Sequence, residues 1–364
     1  MDIFERFKKV YQPLNLIEIN EANLLANYDF FCKVGQTQGS VLTEIWPVLK
    51  SNAYGHGIKE VAKILLKRKF EYFVVDGYHE VLEIRKITKR PVLMIGSIMP
   101  CNFSKIKWKN LAIMVQDKLT VKELGKLNKR IKIHLKINTG MNRQGIEINE
   151  IKKIIKLIKK YPKLELGGVF SHLAGVDDIG QLKKFKKVIR IIEKMGFNLK
   201  YFHLAATAGA SKIKDPKINA IRLGIGLYGI GKGLKPVLKL KSKIVKVRKI
   251  KKREKVGYGG EFVALKDTYI GLIPVGYFEG VDRRFGGKGV IKYKNKFYPI
   301  IGRVCMNMLM INFGSIKAKM FDSVEIFSNN KKDKNSIEKM AKIGGMIPYE
   351  ILVEINSSIR RTVV

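Results

Sequence analysis

The stretch IKIHLKIN (131–138), followed by NEIKKIIKLIKKY (149–161) and GGVFSH (167–172), decides the fold. The first and last pieces are short apolar runs of strand length. In the middle piece Ile151, Ile154, Ile155 and Ile158 fall at i, i+3, i+4 and i+7, one face of a helix, and Pro162 follows as a stop. Working outward, the same alternation fills the first two-thirds of the chain. Pro47–Lys50, Tyr72–Asp76, Val92–Gly96, Ala112–Gln116, Tyr201–Ala205 and Ala220–Leu223 also read as strands, and Glu21–Phe31 and Gln181–Met195 as helices. Eight strands, mostly separated by helical patterns, predict an α/β fold: a (β/α)8 TIM-type barrel over residues 1–234.

Beyond Lys235 the pattern changes. Ile244–Ile250, Tyr269–Val275, Val290–Tyr293, Phe297–Ile301, Met308–Phe313 and Ser323–Phe327 follow one another with Gly or polar turns between them. Residues 235–364 therefore read as a mostly β C-terminal domain. Leu16–Ile19 reads as a strand, so the start of the chain has the option of joining that domain.

The 364 residues carry 71 Lys and Arg against 31 Asp and Glu, a formal charge of +40. One reading is binding to nucleic acid or an anionic membrane surface. The other is solvated lysine faces from a biased codon usage. The second is preferred, because the lysines are spread along the whole chain. The densest run, Lys239–Lys255, interleaves Ile244, Val245, Val247 and Ile250 and reads as a strand with one wet face. No specific nucleic-acid partner is expected. No apolar run has the length of a membrane span, and Met1–Arg6 is too acidic to open a signal peptide. Cys32, Cys101 and Cys305 are odd in number and far apart, which fits reduced thiols in a cytoplasm.

In a barrel, chemistry sits where strands end. Lys50 ends the first strand, and an amine there is costly unless used or paired. A Schiff-base lysine is one use; in a lysine-rich chain, a snorkelling rim lysine is the default for this residue alone. The fifth strand leads to Lys136, Asn138 and Arg143, the sixth to Ser171-His172, the seventh to His203 and Thr207, and the eighth to Arg222, Gly224 and Ile225. Small residues and free N–H groups after the last strands suit a phosphate, although a lone Gly224-Ile-Gly226 is weak evidence. Each histidine alone is expected to be a core residue. Together, two arginines, a histidine and a lysine form a polar pocket that packing does not require.

The arrangement resembles alanine racemase, a fold-type-III enzyme dependent on pyridoxal phosphate (PLP), over nearly the whole chain. The matching segments stand in the family's order: Val48-Leu-Lys50-Ser-Asn52-Ala-Tyr54-Gly-His56-Gly57, Lys136–Gly145, Ser171-His172, Arg222–Gly229, Val256-Gly-Tyr258-Gly259, Gly276-Tyr277, Gly302–Met306 and Ile347–Glu350. The resemblance implies that Lys50 binds PLP covalently and is one of two bases. Tyr258 of the partner subunit is the other, since racemisation needs a group on each face of Cα. It implies that Arg222 donates to the pyridine nitrogen and that His172 tunes Arg222 and Tyr258. Tyr54, Thr207, Gly224, Ile225 and Tyr349 fall at phosphate-binding positions. Arg143 and the Met306 backbone fall where the substrate carboxylate binds, with Tyr277 beside them. Arg283, Arg303 and Asp177 match charged positions of the access corridor. Lys136 matches a lysine carried as a carbamate in some members; a plain buried-stem lysine is an equal alternative. The implied partners are alanine as substrate and a second copy of the chain, in a homodimer with shared active sites that supplies D-alanine for peptidoglycan. No metal is implied.

The chain departs from the family pattern in places. Asn138 and Asn307 replace Asp, Ala206-Thr207 replaces Asn-Ser, Leu223 replaces Pro, and Phe278-Glu279 replaces Ala-Asp. The two lost carboxylates leave positive charge near Arg143 less balanced, which bears on rate and on strictness for alanine. The rival readings are a broad-specificity racemase or another fold-III PLP enzyme and, from a different class, a polyanion-binding protein on a racemase fold. A fold-III decarboxylase is expected to pair the ring nitrogen with an acid rather than with Arg222. Lys50 and Tyr258, both present, argue against a pure binder.

Overall fold

The structure, a computed structural model, describes residues 11–36, 43–213 and 215–364. Met1–Arg6, read above for targeting, lies outside the described residues. The chain divides into two compact units. One comprises Leu25–Ala53 and Val61–Leu227, the other Met1–Leu24, Tyr54–Glu60 and Tyr228–Val364.

The chain's first strand, β1 (Leu16–Ile19), belongs to the second unit. The first unit holds β2 (Glu44–Pro47), β3 (Phe73–Val75), β4 (Val92–Met94), β5 (Leu111–Val115), β6 (Ile131–Lys136), β7 (Leu164–Phe170), β8 (Tyr201–His203) and β9 (Ala220–Leu223). Strands β3 to β8 pair in that order, all parallel, and β2 pairs in parallel with β9. Parallel bridges Val48↔Val74 and Ala206↔Arg222 join the two pieces and close the ring. The result is the (β/α)8 barrel. In helix Ile151–Lys159 the four isoleucines are buried, each contributing about 1.5–3 kcal/mol by leaving water. Trp46, Tyr72 and Phe73 fill the barrel core at 0–1% exposure. Between β4 and β5 the only helix is the 3-10 turn Pro100–Lys105.

The second unit is strand-rich. It contains β10 (Leu238–Lys243), β11 (Lys246–Ile250), β12 (Lys255–Val256), β13 (Phe262–Val263), β14 (Thr268–Ile273), β15 (Val290–Tyr293), β16 (Lys296–Ile301), β17 (Leu309–Gly314), β18 (Ser323–Phe327) and β19 (Arg360–Val363). A nine-stranded sheet runs β11-β14-β17-β16-β15-β18-β10-β1-β19, and β12 and β13 form a separate hairpin. Strand β1 lies antiparallel to β10 and parallel to β19. The lysine-rich run is two strands, not one. In β10 the residues Leu238, Leu240 and Ser242 point inward while Lys239, Lys241 and Lys243 are more exposed. Lys241 pairs with Glu18 at 2.5 Å. Among the described residues no helix is long and apolar enough to cross a membrane.

Candidate active site

In the barrel unit β2 stops at Pro47, three residues before Lys50. Val48 and Leu49 still donate to Leu223 O and Val74 O on the neighbouring strands, so Lys50 leaves the barrel from an anchored stem. The chain then turns through Ser51 (φ 55°, ψ 51°), Asn52 (φ 53°, ψ 47°) and Ala53 (φ 54°, ψ 49°), with Tyr54 also at φ 51°. This is a left-handed turn without glycine, and it costs about 1–2 kcal/mol per residue. Such strain persists only where surrounding contacts over-determine it, and it clusters at functional sites.

Arg222 at the end of β9 is 4% exposed. Its Nη1 donates to His203 Nδ1 and His203 O, both at 2.7 Å, and its Nη2 to Ser171 O at 2.6 Å and Leu204 O at 3.3 Å. None of these bonds uses Nε. A guanidinium only donates, so His203 Nδ1 is an acceptor and its Nε2 carries the proton. That proton goes to His134 Nδ1 at 2.9 Å. Both imidazoles are neutral: burial first, and then neighbouring cations, hold His134 down at about 3 and push His203 well below its usual value. Burial also lowers Arg222, to about 9.

The same end of the unit carries His172, Lys136 and Arg143. His172 is pushed down to about 3 by burial, then by Arg222, Lys136, Arg143 and Lys50. Every one of those neighbours is a basic side chain. Lys136, 6% exposed, is pushed down to about 6 by burial and by Arg222 and Arg143. Its Nζ stands 4.8 Å from the centre of the Phe170 ring, and His203 stacks on that ring at 4.7 Å.

Arg143 rides on a loop closed at its base by the bridge Ile137↔Ile146. Asn138 organises the loop. Its Oδ1 accepts from the N–H groups of Gly140 and Asn142, and its Nδ2 donates to Asn142 Oδ1 and, at 2.7 Å, to Glu147 Oε1. Behind the loop lies a buried polar cluster. Gln181 donates to Thr139 Oγ1 and His172 O and accepts from Ala174 N, and Ser171 Oγ bonds Thr139 Oγ1 and Ile137 O. Thr207 Oγ1 accepts from Gly226 N at 3.1 Å, which fixes the chain just past Gly224 and Ile225.

The remaining predicted residues lie in the second unit. Tyr54 packs on Tyr228 and Tyr349, with ring centroids 5.0 and 6.0 Å away, and burial raises Tyr349. Gly55 (φ 76°) allows a close approach there, because a Cβ would sit 1.8 Å from Leu352 O. Tyr258 is 72% exposed on the turn Tyr258–Gly260. Tyr277 N and Phe278 N donate to Cys305 O and Met306 O, which brings the Tyr277 and Met306 loops together. Asn307 Nδ2 donates to Glu279 Oε1 at 2.9 Å, and Arg303 pairs with Glu261. Asp177, in the barrel unit, caps helix Asp178–Lys194 through Gly180 N.

Residues 19–232 match the family description "Alanine racemase, N-terminal domain", and residues 237–363 match "Alanine racemase, C-terminal domain". The chain belongs to the alanine racemase family. It is 30% identical over 373 residues to alanine racemase from Helicobacter pylori, covering 95% of this chain and 98% of that one. It is 31% identical over 374 residues to alanine racemase from Borreliella burgdorferi, covering 97% and 96%. The solved structure of alanine racemase from Bacillus anthracis with bound L-Ala-P superposes with a TM-score of 0.88 at 26% identity, covering 97% and 96%.

Within this alanine racemase the barrel unit groups Lys50, Arg143, His172 and Arg222 electrostatically. Motifs alone do not single out Glu80, Gln181 or the role of His203. Glu80 carried only the faint signal of an acid in a helix's first turn. The two replacements by asparagine also gain a rationale. Asn138 and Asn307 each donate an amide hydrogen to a glutamate, Glu147 and Glu279, where an aspartate would oppose a second carboxylate.

Proposed function

We propose that the barrel end carrying Lys50 is the reaction site of this enzyme and that the enzyme works as a homodimer. The chain is a PLP-dependent alanine racemase, an isomerase interconverting L- and D-alanine. The observation that carries the placement is the set of basic side chains gathered around His172: Arg222, Lys136, Arg143 and Lys50 all lie close enough to lower it, and no acid is among them. A donor set of that kind fits an anionic phosphate and a substrate carboxylate. PLP, when bound, supplies the electron sink that lets the substrate Cα–H ionise.

The chain's own residues take the remaining roles. Lys50 holds PLP and handles the Cα proton on one face; Tyr258 of the partner subunit handles it on the other. Arg222, oriented by His203, Ser171 and Leu204, would face the ring nitrogen of PLP with a proton it does not give up. His172 stays neutral near Arg222. By resemblance to the family, Tyr54, Thr207, Gly224, Ile225 and Tyr349 would hold the phosphate, and Arg143 and the Met306 backbone would hold the carboxylate, with Tyr277 beside them. The enzyme acts in the cytoplasm and supplies D-alanine for peptidoglycan. Its lysines are spread along the whole chain rather than gathered on one element, which favours no particular nucleic-acid or membrane partner.

Borohydride reduction of the PLP-loaded protein, followed by peptide mapping, tests the placement. The expected adduct is on Lys50, and Lys50→Ala loses both adduct and racemisation. An adduct on another lysine overturns the reading.

A further inference from the structure

Glu80 is a carboxylate at 5% exposure, on the first turn of helix Tyr78–Arg85. Its Oε2 accepts the Asp76 and Gly77 N–H groups at 2.8 and 3.1 Å. That much is ordinary capping at a helix start. Its Oε1 goes further and accepts the Ser51 N–H at 2.5 Å, across 29 residues of sequence. Ser51 directly follows Lys50 and opens the left-handed turn. One buried carboxylate thus ties the end of β2 to the end of β3 through three N–H groups.

We infer that Glu80 is a positioning residue for Lys50. The peptide linking Lys50 to Ser51 fixes the direction in which the lysine stem leaves the barrel. Glu80 holds that peptide by its N–H, and an ionised acceptor makes such a bond shorter and stronger than a neutral one. The left-handed turn has no glycine to relax into, so an external hold of this kind is what keeps Ser51 in place. Only a carboxylate serves here. Glutamine has one acceptor oxygen, and its NH2 would face an N–H on whichever side it occupied. The role rests on the reading of Lys50 as the lysine that bonds PLP.

The test uses full-length protein stripped of cofactor, in wild-type, Glu80→Gln and Glu80→Ala forms. PLP is added, samples are reduced with borohydride at intervals, and the adduct on Lys50 is quantified by peptide mapping. Displacing a reacting group by about 1 Å costs on the order of 10²-fold, so trapping on Lys50 is expected to slow by about tenfold or more in Glu80→Ala. Glu80→Gln should fall between it and wild type. In reloaded enzyme kcat falls while KM for alanine stays within about twofold. If Glu80→Ala does not fold, Glu80→Gln carries the test. Trapping at the wild-type rate in the folded variants overturns the proposal, even if their thermal midpoints drop, because a merely structural Glu80 moves only the midpoint. An adduct on a different lysine in the wild type removes the reading of Lys50, and the role of Glu80 with it.

Discussion

Lys136 is the residue whose environment most changes its chemistry. Burial, Arg222 and Arg143 together hold its amine near a pKa of about 6, so at neutral pH the folded protein carries it largely as a free amine. In the unfolded chain the ordinary value is 10.5. The folded pKa is depressed, so between these values the unfolded state binds more protons and stability rises with pH. This contribution is fully present above about pH 10.5 and is lost as pH falls through about 6. In CO2-free buffer, Lys136→Met should flatten the rise of the thermal midpoint across that window; an unchanged slope would falsify the assignment. A free amine is also a nucleophile. With CO2 it forms a carbamate and releases one proton, placing an anion near Arg143 and Arg222. Added bicarbonate is then expected to abolish the Lys136 part of the pH slope and to raise activity at saturating alanine. No response to bicarbonate points to the plain lysine.

At the scale of elements, the Arg143 loop depends on Asn138 holding Glu147 by an amide hydrogen. Asn138→Asp removes that donor and sets two carboxylates against each other, a loss of at most about 1 kcal/mol at this exposed site. The loop carries Arg143, so KM for alanine should rise several-fold while kcat changes less. Glu147→Gln in the same chain should recover most of the loss, and a double-mutant cycle measures the coupling. Additive effects would show that the contact does no such work. Elements of this kind differ in how far their residues announce them. Helix Ile151–Lys159 is legible because its isoleucine spacing alone defines a buried face. The left-handed turn Ser51–Tyr54 is not, since no glycine marks it and a distant carboxylate holds it. The place of β1 between β10 and β19 is equally hidden, because those pairings join opposite ends of the chain. Lys239–Lys255 reads as one strand because apolar residues are interleaved with its lysines, and nothing marks Ile244-Val245 as the place where the chain leaves one part of the sheet for another. Lys50, Arg222 and His172 stand out in the sequence because chemistry in a barrel gathers at strand ends, whereas Gln181 reads as one more polar helix residue.

At the scale of the molecule, the second unit leaves several apolar side chains in water, Tyr258 among them. Tyr258 is 72% exposed, Leu265 86% and Met306 56%, which is what a surface awaiting a second copy looks like. In the proposed homodimer, Lys50 and Tyr258 of each site would come from different chains. Lys50→Ala and Tyr258→Phe homodimers should each be nearly inactive. In a mixed dimer one site carries both lesions and the other carries neither. Random exchange at equal mixing makes about half of all dimers mixed, each with one intact site of two, so activity should return to about a quarter of wild type. The two homodimers contribute nothing to that figure, which makes the recovered fraction a direct count of composite sites. If both bases came from one chain, every site in every mixture would keep a lesion. Subunit exchange verified with differently tagged chains, yet without recovered activity, would therefore rule out the shared site while leaving Lys50 and Tyr258 in their roles.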